Sequence, residues 1–371
     1  MGSSFSLSAV ALTVFEILNE IFIAVGSGAS GIIVLVNHGL KTNEILRTLM
    51  VTTITAGCLI ITFQTTEMMK ASPKKVIFIT GCDSGLGFSF AQHACEMGFT
   101  VLAGCLNLES KGAQSLRALF GEKITHVELD ITRSTSVQVA LDFVNEILIS
   151  NPDYQFWALV NNAGVMVFGE FEWLTDKLIQ KQLDVNLYGT FQLTKAFCPL
   201  LRVHRARIIN VSSHCALASL PGLSVYGATK AALKGWNDAL RVELRKYGVS
   251  VVLFIPGSFI TQSNIMGTQV ENCFEMYNSF SKEQLEFYGD YFNRYNNYLN
   301  AIGGSRNIEK INDSALYDKF EKALLELPPS SVYINESFYY SIYHTLFKCT
   351  PVSVRDFLIT RFMQMPSYTV I

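Results

Sequence analysis

Charge is scarce in this 371-residue chain: Lys, Arg, Asp and Glu together make up 16% of it, and the first forty residues contain no Lys or Arg. With a net charge of −2 and no basic stripe, nothing is available to neutralise a phosphate backbone, which excludes a nucleic-acid partner. The eight cysteines form no CxxC pair and no Cys/His cluster, so no metal site is expected. Scattered through apolar segments, they read as reduced, buried thiols. No G-x-S-x-G elbow occurs, which disfavours a Ser/His/acid hydrolase. A cleavable leader is disfavoured too, because the N-terminus lacks a positive start.

Apolar residues are abundant at 49%, and the mean hydropathy is +0.27. The excess is concentrated near the N-terminus. Ile21 to Leu40 is uncharged between Glu20 and Lys41, and Thr48 to Thr66 is uncharged between Arg47 and Glu67. Each approaches the roughly 20 residues that cross a bilayer as a helix. Residues 1–72 are therefore expected to be a membrane anchor of one or two transmembrane helices. The second stretch is the stronger span, since Gly26, Gly28, Gly31 and His38 interrupt the first. Lys70, Lys74 and Lys75 then place the following domain in the cytosol, on an intracellular membrane such as the endoplasmic reticulum. Sequons begin at Asn312 and Asn335 and would matter only in a lumen; a third, at Asn210, overlaps an expected core strand and is set aside.

From Lys75 onward, apolar strands alternate with helical stretches. Strands are expected at Val76–Thr80, Phe99–Cys105, Ile124–Leu129, Trp157–Val160, Arg207–Ser212 and Val249–Ile255. Helices are expected at Phe88–Met97, Leu108–Phe120, Ser134–Ile149, Lys177–Leu201 and Tyr226–Tyr247. That order predicts an α/β fold, a Rossmann-type doubly wound parallel sheet covered on both faces, over residues 73–345. Beyond Pro256 the alternation stops. Residues 262–305 are dense in Phe and Tyr and read either as a helix packed on the domain or as a lid over a lipophilic substrate. Residues 346–371 form an apolar tail.

Thr80-Gly81-Cys82-Asp83-Ser84-Gly85-Leu86-Gly87 joins the first strand to the first helix. Glycines there permit a tight turn and close approach of a pyrophosphate to a helix N-terminus. Asp130 and Asn162-Ala163-Gly164 lie at later strand ends, where open α/β sheets bind ligands, although an Asp after a strand is often only a turn former. Tyr226 and Lys230 stand one helical turn apart. A phenol titrates near about 10, and a neighbouring ammonium favours its anion. Ser213 can polarise a substrate oxygen, and Asn186 could hold a relay water against Lys230. His214, beside Ser213, reads as structural. Pro256-Gly257 and Thr261 follow the sixth strand.

In this order, TGxxxGxG, NNAG, Asn, Ser, YxxxK and PG resemble the short-chain dehydrogenase/reductase family over roughly Lys75 to Thr350. The resemblance implies a catalytic tetrad of Tyr226, Lys230, Ser213 and Asn186. It also implies that Thr80, Gly81, Ser84, Gly85, Leu86 and Gly87 surround the pyrophosphate and that Asp130 lies near the adenine. Asn162, Ala163 and Gly164 shape the cofactor cleft; Lys230 and Tyr226 meet the nicotinamide ribose; Pro256, Gly257 and Thr261 lie near the carboxamide. The Gly-rich turn, Glu96 to Leu106 and Val354-Arg355-Asp356 resemble the branch holding retinol, 17β-hydroxysteroid and 3-hydroxybutyrate dehydrogenases, extending to the moulting-hormone pathway. NAD(H) is implied over NADP. The second strand ends Gly104-Cys105-Leu106-Asn107, with no acid for the ribose hydroxyls, but Asp83 would repel a 2′-phosphate and no cation receives one. The substrate is then a lipophilic secondary alcohol or ketone, steroid or retinoid. A 3-hydroxybutyrate-type acid or a non-catalytic NAD-binding scaffold is the alternative. Homodimers are common in the family.

Overall fold

The computed structural model describes residue 52, residues 66–303 and residues 308–368. Met68–Ile371 form one compact unit, distinct from Met1–Glu67. The two apolar stretches read as membrane spans lie outside the described residues except at Thr52 and Thr66. Among the described residues no helix is long and apolar enough to cross a membrane.

Seven strands form one sheet: β1 (Lys75–Thr80), β2 (Thr100–Cys105), β3 (Ile124–Glu128), β4 (Gln155–Asn161), β5 (Arg207–Val211), β6 (Ser250–Ile255) and β7 (Val332–Ile334). Their spatial order is β3-β2-β1-β4-β5-β6-β7, and every pairing is parallel. Successive side chains of a strand point to opposite faces. Ile77 and Ile79 of β1 thus enter one core, while Val76 and Phe78 enter the other. Helices α1 (Gly85–Met97) and α2 (Lys111–Phe120) cover the first face; α3 (Ser134–Ser150) covers the second. On that second face Phe78 stacks on Phe197 with ring centroids 5.3 Å apart.

The structure corrects the sequence reading at four places. Helix α1 starts at Gly85, not Phe88, so Gly85, Leu86 and Gly87 form its first turn. The helix expected over Lys177–Leu201 is interrupted: α4 (Asp176–Leu183) and α5 (Thr190–His204) flank a π-helical turn at Asp184–Gly189. The alternation does not stop at Pro256. After α6 (Ser224–Arg245) and β6 come α7 (Gln269–Ser279), α8 (Lys282–Ile302) and α9 (Ser314–Leu325), then β7, which pairs Leu253 with Val332 and Ile255 with Ile334. A three-residue strand after Pro328-Pro329 carries too little periodicity to be read. Finally, Asn335 is buried and donates from Nδ2 to Pro256 O at 2.9 Å. In the fold it cannot carry a glycan. Asn210 is buried as well, which leaves Asn312 as the one exposed sequon.

The aromatic segment is two helices, not one. Ser281 caps α8 in a capping box with Gln284. Trp173 sits at the centre of its rings, edge-on to Tyr291, Phe292 and Tyr295 at 5.1–5.5 Å. The same cluster takes in Tyr226 of α6. Many of these side chains are therefore core packing, but not every member of the segment is buried. Phe292 is 3% exposed, whereas Phe287 is 57% exposed and stacks on Tyr368. Phe292→Ala should cost about 3–5 kcal/mol and lower the melting temperature sharply, while Phe287→Ala should stay within about 1 kcal/mol. Thermal melts of both variants check this; equal losses would contradict the packing described.

Past β7, α10 (Phe338–Cys349) and α11 (Val352–Met363) lead back to α8. Tyr298 donates to Met363 O at 3.3 Å, and Arg294 donates to Ser367 O at 3.0 Å.

Candidate active site

The turn after β1 is shaped by what it lacks. Gly81 and Gly85 have φ of +71° and +60°, a region that side chains disfavour. A Cβ on Gly87 would lie 2.1 Å from Gly81 O and 2.5 Å from Asn162 Nδ2. The Thr80 hydroxyl locks this turn to the neighbouring one, accepting from the N–H groups of Asn162 and Ala163 at 3.0 and 2.9 Å. Asn162 returns a bond from Nδ2 to Thr80 O at 2.8 Å. Ser84 makes no side-chain cap to α1, and the first turn of that helix has no acid. No capping side chain competes for its opening amides, and the dipole end favours an anion there. These residues fit the pyrophosphate of a dinucleotide: Gly81, Gly85, Leu86 and Gly87 would hold it.

Asp83 fixes the end of β2. Its carboxylate accepts from Leu106 N–H at 2.8 Å and Asn107 N–H at 3.0 Å. The acid absent from the β2 sequence is thus supplied to that strand end by the turn beside it. Asp130 lies at the C-terminal end of β3, where Oδ1 accepts from the Thr132 N–H and hydroxyl at 2.9 and 2.6 Å, the turn-former's role. Pro256 and Gly257 follow β6, Gly257 with φ +103°. Thr261 is exposed in the turn beyond, and its neighbours Ser263 and Asn264 approach Gly85.

At the ends of β4 and β5 the catalytic candidates converge. Tyr226 and Lys230 are both buried on α6, with Lys230 Nζ 5.8 Å from the Tyr226 ring centre. Lys230 donates to Val211 O at 3.1 Å. Ser213 follows β5 by two residues, its hydroxyl accepts from Cys215 N–H at 3.2 Å, and it favours the ionised form of the Tyr226 hydroxyl. A Cβ on Gly164 would come to 3.3 Å from Asn186 Oδ1 and 3.6 Å from Lys230 Nζ, so the NNAG turn, the π-turn and α6 meet at one point. Asn186 is buried in that π-turn. Its amide accepts from Val165 N–H at 2.7 Å and donates to Val165 O at 2.8 Å and Thr229 Oγ1 at 3.2 Å. The side chain thereby fixes the segment after NNAG and ties it to α6.

Electrostatics differ from the sequence expectation. Burial pushes the Tyr226 hydroxyl above the ordinary phenol range, the Cys215 thiol adds to this, and the Ser213 bond offsets part. Burial also drives Lys230 down to about 8, against a smaller pull from Cys215. Desolvation thus dominates both groups. Cys215 and Thr229 were not legible as site residues. Their only signal is position, two residues after Ser213 and one before Lys230. His214 Nε2 lies 2.8 Å from the Glu336 carboxylate, and His344 Nδ1 meets the same oxygen at 2.6 Å. The two imidazoles stack at 4.0 Å. Although burial opposes it, this pair holds the Glu336 carboxyl well below the usual range. His214 is engaged away from Ser213, as its structural reading requires.

A glycine turn at a parallel-sheet edge that fits a dinucleotide, together with a buried Ser/Tyr/Lys cluster, marks a nicotinamide-dependent oxidoreductase acting on CH–OH groups. The short chain dehydrogenase model matches residues 75–271, and the chain belongs to that family. It is 32% identical to rat estradiol 17-beta-dehydrogenase 2 over 295 residues, 78% of this chain and 75% of that one. Rat retinol dehydrogenase 7 is 34% identical over 272 residues, 73% of this chain and 83% of that one. Rat mitochondrial D-beta-hydroxybutyrate dehydrogenase is 37% identical over 203 residues, 54% of this chain and 59% of that one, so the chain spans little more than half of that relative.

Proposed function

We propose that this enzyme interconverts a secondary alcohol and a ketone on a lipophilic, steroid-like substrate with NAD(H). The observation that carries this reading is that Tyr226 belongs at once to the Ser213/Lys230 cluster and to the aromatic cluster around Trp173. The nicotinamide, when bound, supplies or accepts the hydride. Tyr226 would act as acid or base toward the substrate oxygen, Ser213 would orient that oxygen through a hydrogen bond, and Lys230 would hold the ribose of the bound dinucleotide. Asn186 keeps the segment at Val165 in place. Moulting-hormone synthesis is one setting for such a steroid activity.

A retinoid alcohol is the second reading, favoured by the retinol dehydrogenase likeness. Against a 3-hydroxy acid stand two carboxylates at the edge of the aromatic cluster: Glu170 accepts from Tyr291 at 2.7 Å and Glu172 from Tyr288 at 2.7 Å. They repel an anionic substrate. A panel of steroid, retinoid and 3-hydroxybutyrate alcohols, followed by NADH formation, tests the proposal. Turnover of the hydroxy acid alone, or of nothing, would overturn it.

NAD should exceed NADP in kcat/KM by roughly tenfold or more, because a 2′-phosphate would approach the Asp83 carboxylate at the end of β2. Asp83→Asn should narrow that gap. A preference for NADP in the wild type would instead implicate Lys111, at the start of α2.

The proposal places the catalytic domain on the cytosolic face of an intracellular membrane, anchored through residues 1–72. A glycan on Asn312 would put it in the lumen.

A further inference from the structure

Three side chains from separate parts of the chain meet behind Ser213. His214 Nε2 and His344 Nδ1 both reach Glu336 Oε2, and none of the three side chains is more than 15% exposed. Burial raises the Glu336 carboxyl, but the two imidazoles more than offset this, so it is an ionised acceptor. An ionised carboxylate has no hydrogen to give, so each of the two ring nitrogens donates to it. The rings are nearly parallel, 14° apart, and lone pairs in such planes do not converge on one cation. The trio is therefore a hydrogen-bonded bracket.

One end of the bracket is fixed to the sheet. Asn335, the neighbour of Glu336, donates from its N–H to Ile255 O at 2.8 Å, and from Nδ2 to Pro256 O at 2.9 Å and Asp313 Oδ2 at 3.2 Å. The other end is the turn that bears Ser213. The pairing of β5 with β6 runs to Val211, and Ser212 N–H adds one bond to Phe254 O at 2.7 Å. Ser213 is extended, with φ −155° and ψ 160°, so its side chain and that of His214 leave opposite faces of the backbone. Ser213 acts on the Tyr226 hydroxyl from one face, and His214 is tied to Glu336 on the other. Cys215, next in line, packs into the cluster that contains Tyr226. We infer that Glu336 is a positioning residue: through His214 it sets the angle at which Ser213 presents its hydroxyl to the substrate oxygen, and His344 steadies that carboxylate from α10. The inference rests on the proposed function, which gives Ser213 that oxygen. Glu336 and His344 both lie beyond residues 75–271, the part that the family model matches, so the segment after β7 completes the catalytic geometry.

The experiment measures kcat, KM and NADH affinity of the full chain on estradiol, or on whichever alcohol of the panel the wild type oxidises. Glu336→Ala should lower kcat about tenfold to a hundredfold, the scale of a misplaced catalytic group, and leave KM and the NADH dissociation constant within about threefold. Glu336→Gln keeps an oxygen that can accept from both imidazoles, so its kcat should stay within about threefold of wild type. In a Ser213→Ala background, followed by single-turnover kinetics, Glu336→Ala should have almost no further effect. His214→Phe keeps the ring on the stack, removes the bond, and takes the place of Glu336→Ala if that variant does not fold. Equal fold losses with and without Ser213 overturn the inference, because the bracket then supports the fold and not the serine. A loss in Glu336→Gln as large as in Glu336→Ala also overturns it, by showing that the charge acts and not the bracket. Either result leaves the oxidoreductase reading standing. A wild type that oxidises no alcohol of the panel overturns that reading, and the inference with it.

Discussion

Tyr226→Phe should reduce kcat by roughly 10²–10⁴ while leaving the dissociation constant for NADH within about threefold of wild type. The ring stays, so its packing beside Val225 and Leu223 survives. Only the hydroxyl is lost. Lys230 keeps its bond to Val211 O, and the glycine turn is untouched. Single-turnover kinetics with fluorescence titration of NADH separate the two effects. Activity within tenfold of wild type would remove Tyr226 from the proton-transfer role and return attention to Ser213.

Gly87→Ala should abolish measurable NADH binding, a loss of at least 100-fold, from one added methyl group. The new Cβ would sit 2.1 Å from Gly81 O, and backbone cannot yield as a flexible side chain does. Either α1 moves off the turn or the turn opens; both destroy the fit to a pyrophosphate. Gly235→Ala is the matching control. That glycine is exposed on α6, has nothing within 4 Å of its Cβ position and is helical, so Ala should be neutral or stabilising by about 0.5–1 kcal/mol. Circular dichroism melts and NADH titrations on both variants test the contrast. Normal NADH affinity in Gly87→Ala would disprove the assignment of the turn.

What could be read from the chain was what is local. Six of the seven strands announced themselves as apolar runs between turn signals, and Thr80–Gly87, Asn161–Gly164 and Tyr226–Lys230 are each set within one turn. The seventh strand escaped because Val332–Ile334 is short and is defined by its partner β6. The π-turn at Asp184–Gly189 escaped because its cause is distant: Asn186 bonds to Val165, 21 residues away. Lys230 was expected to lower the Tyr226 pKa, but the balance depends on how dry the site is, which only packing decides. The same holds for the aromatic segment. Nine aromatics between Cys273 and Leu299 suggested either a packed helix or a lid, yet no spacing rule distinguishes exposed Phe287 from buried Phe292.

The contacts of Met363, Ser367 and Tyr368 with α8 make the last residues of the chain a latch on the helix that carries Tyr295. Any outward swing of α8 to admit or release a bulky substrate must break that latch or drag the tail with it. The latch belongs to a segment remote in sequence from Tyr226 and Lys230, so changes at Ser367 or Tyr368 would be felt at α8 before they were felt at the reacting groups.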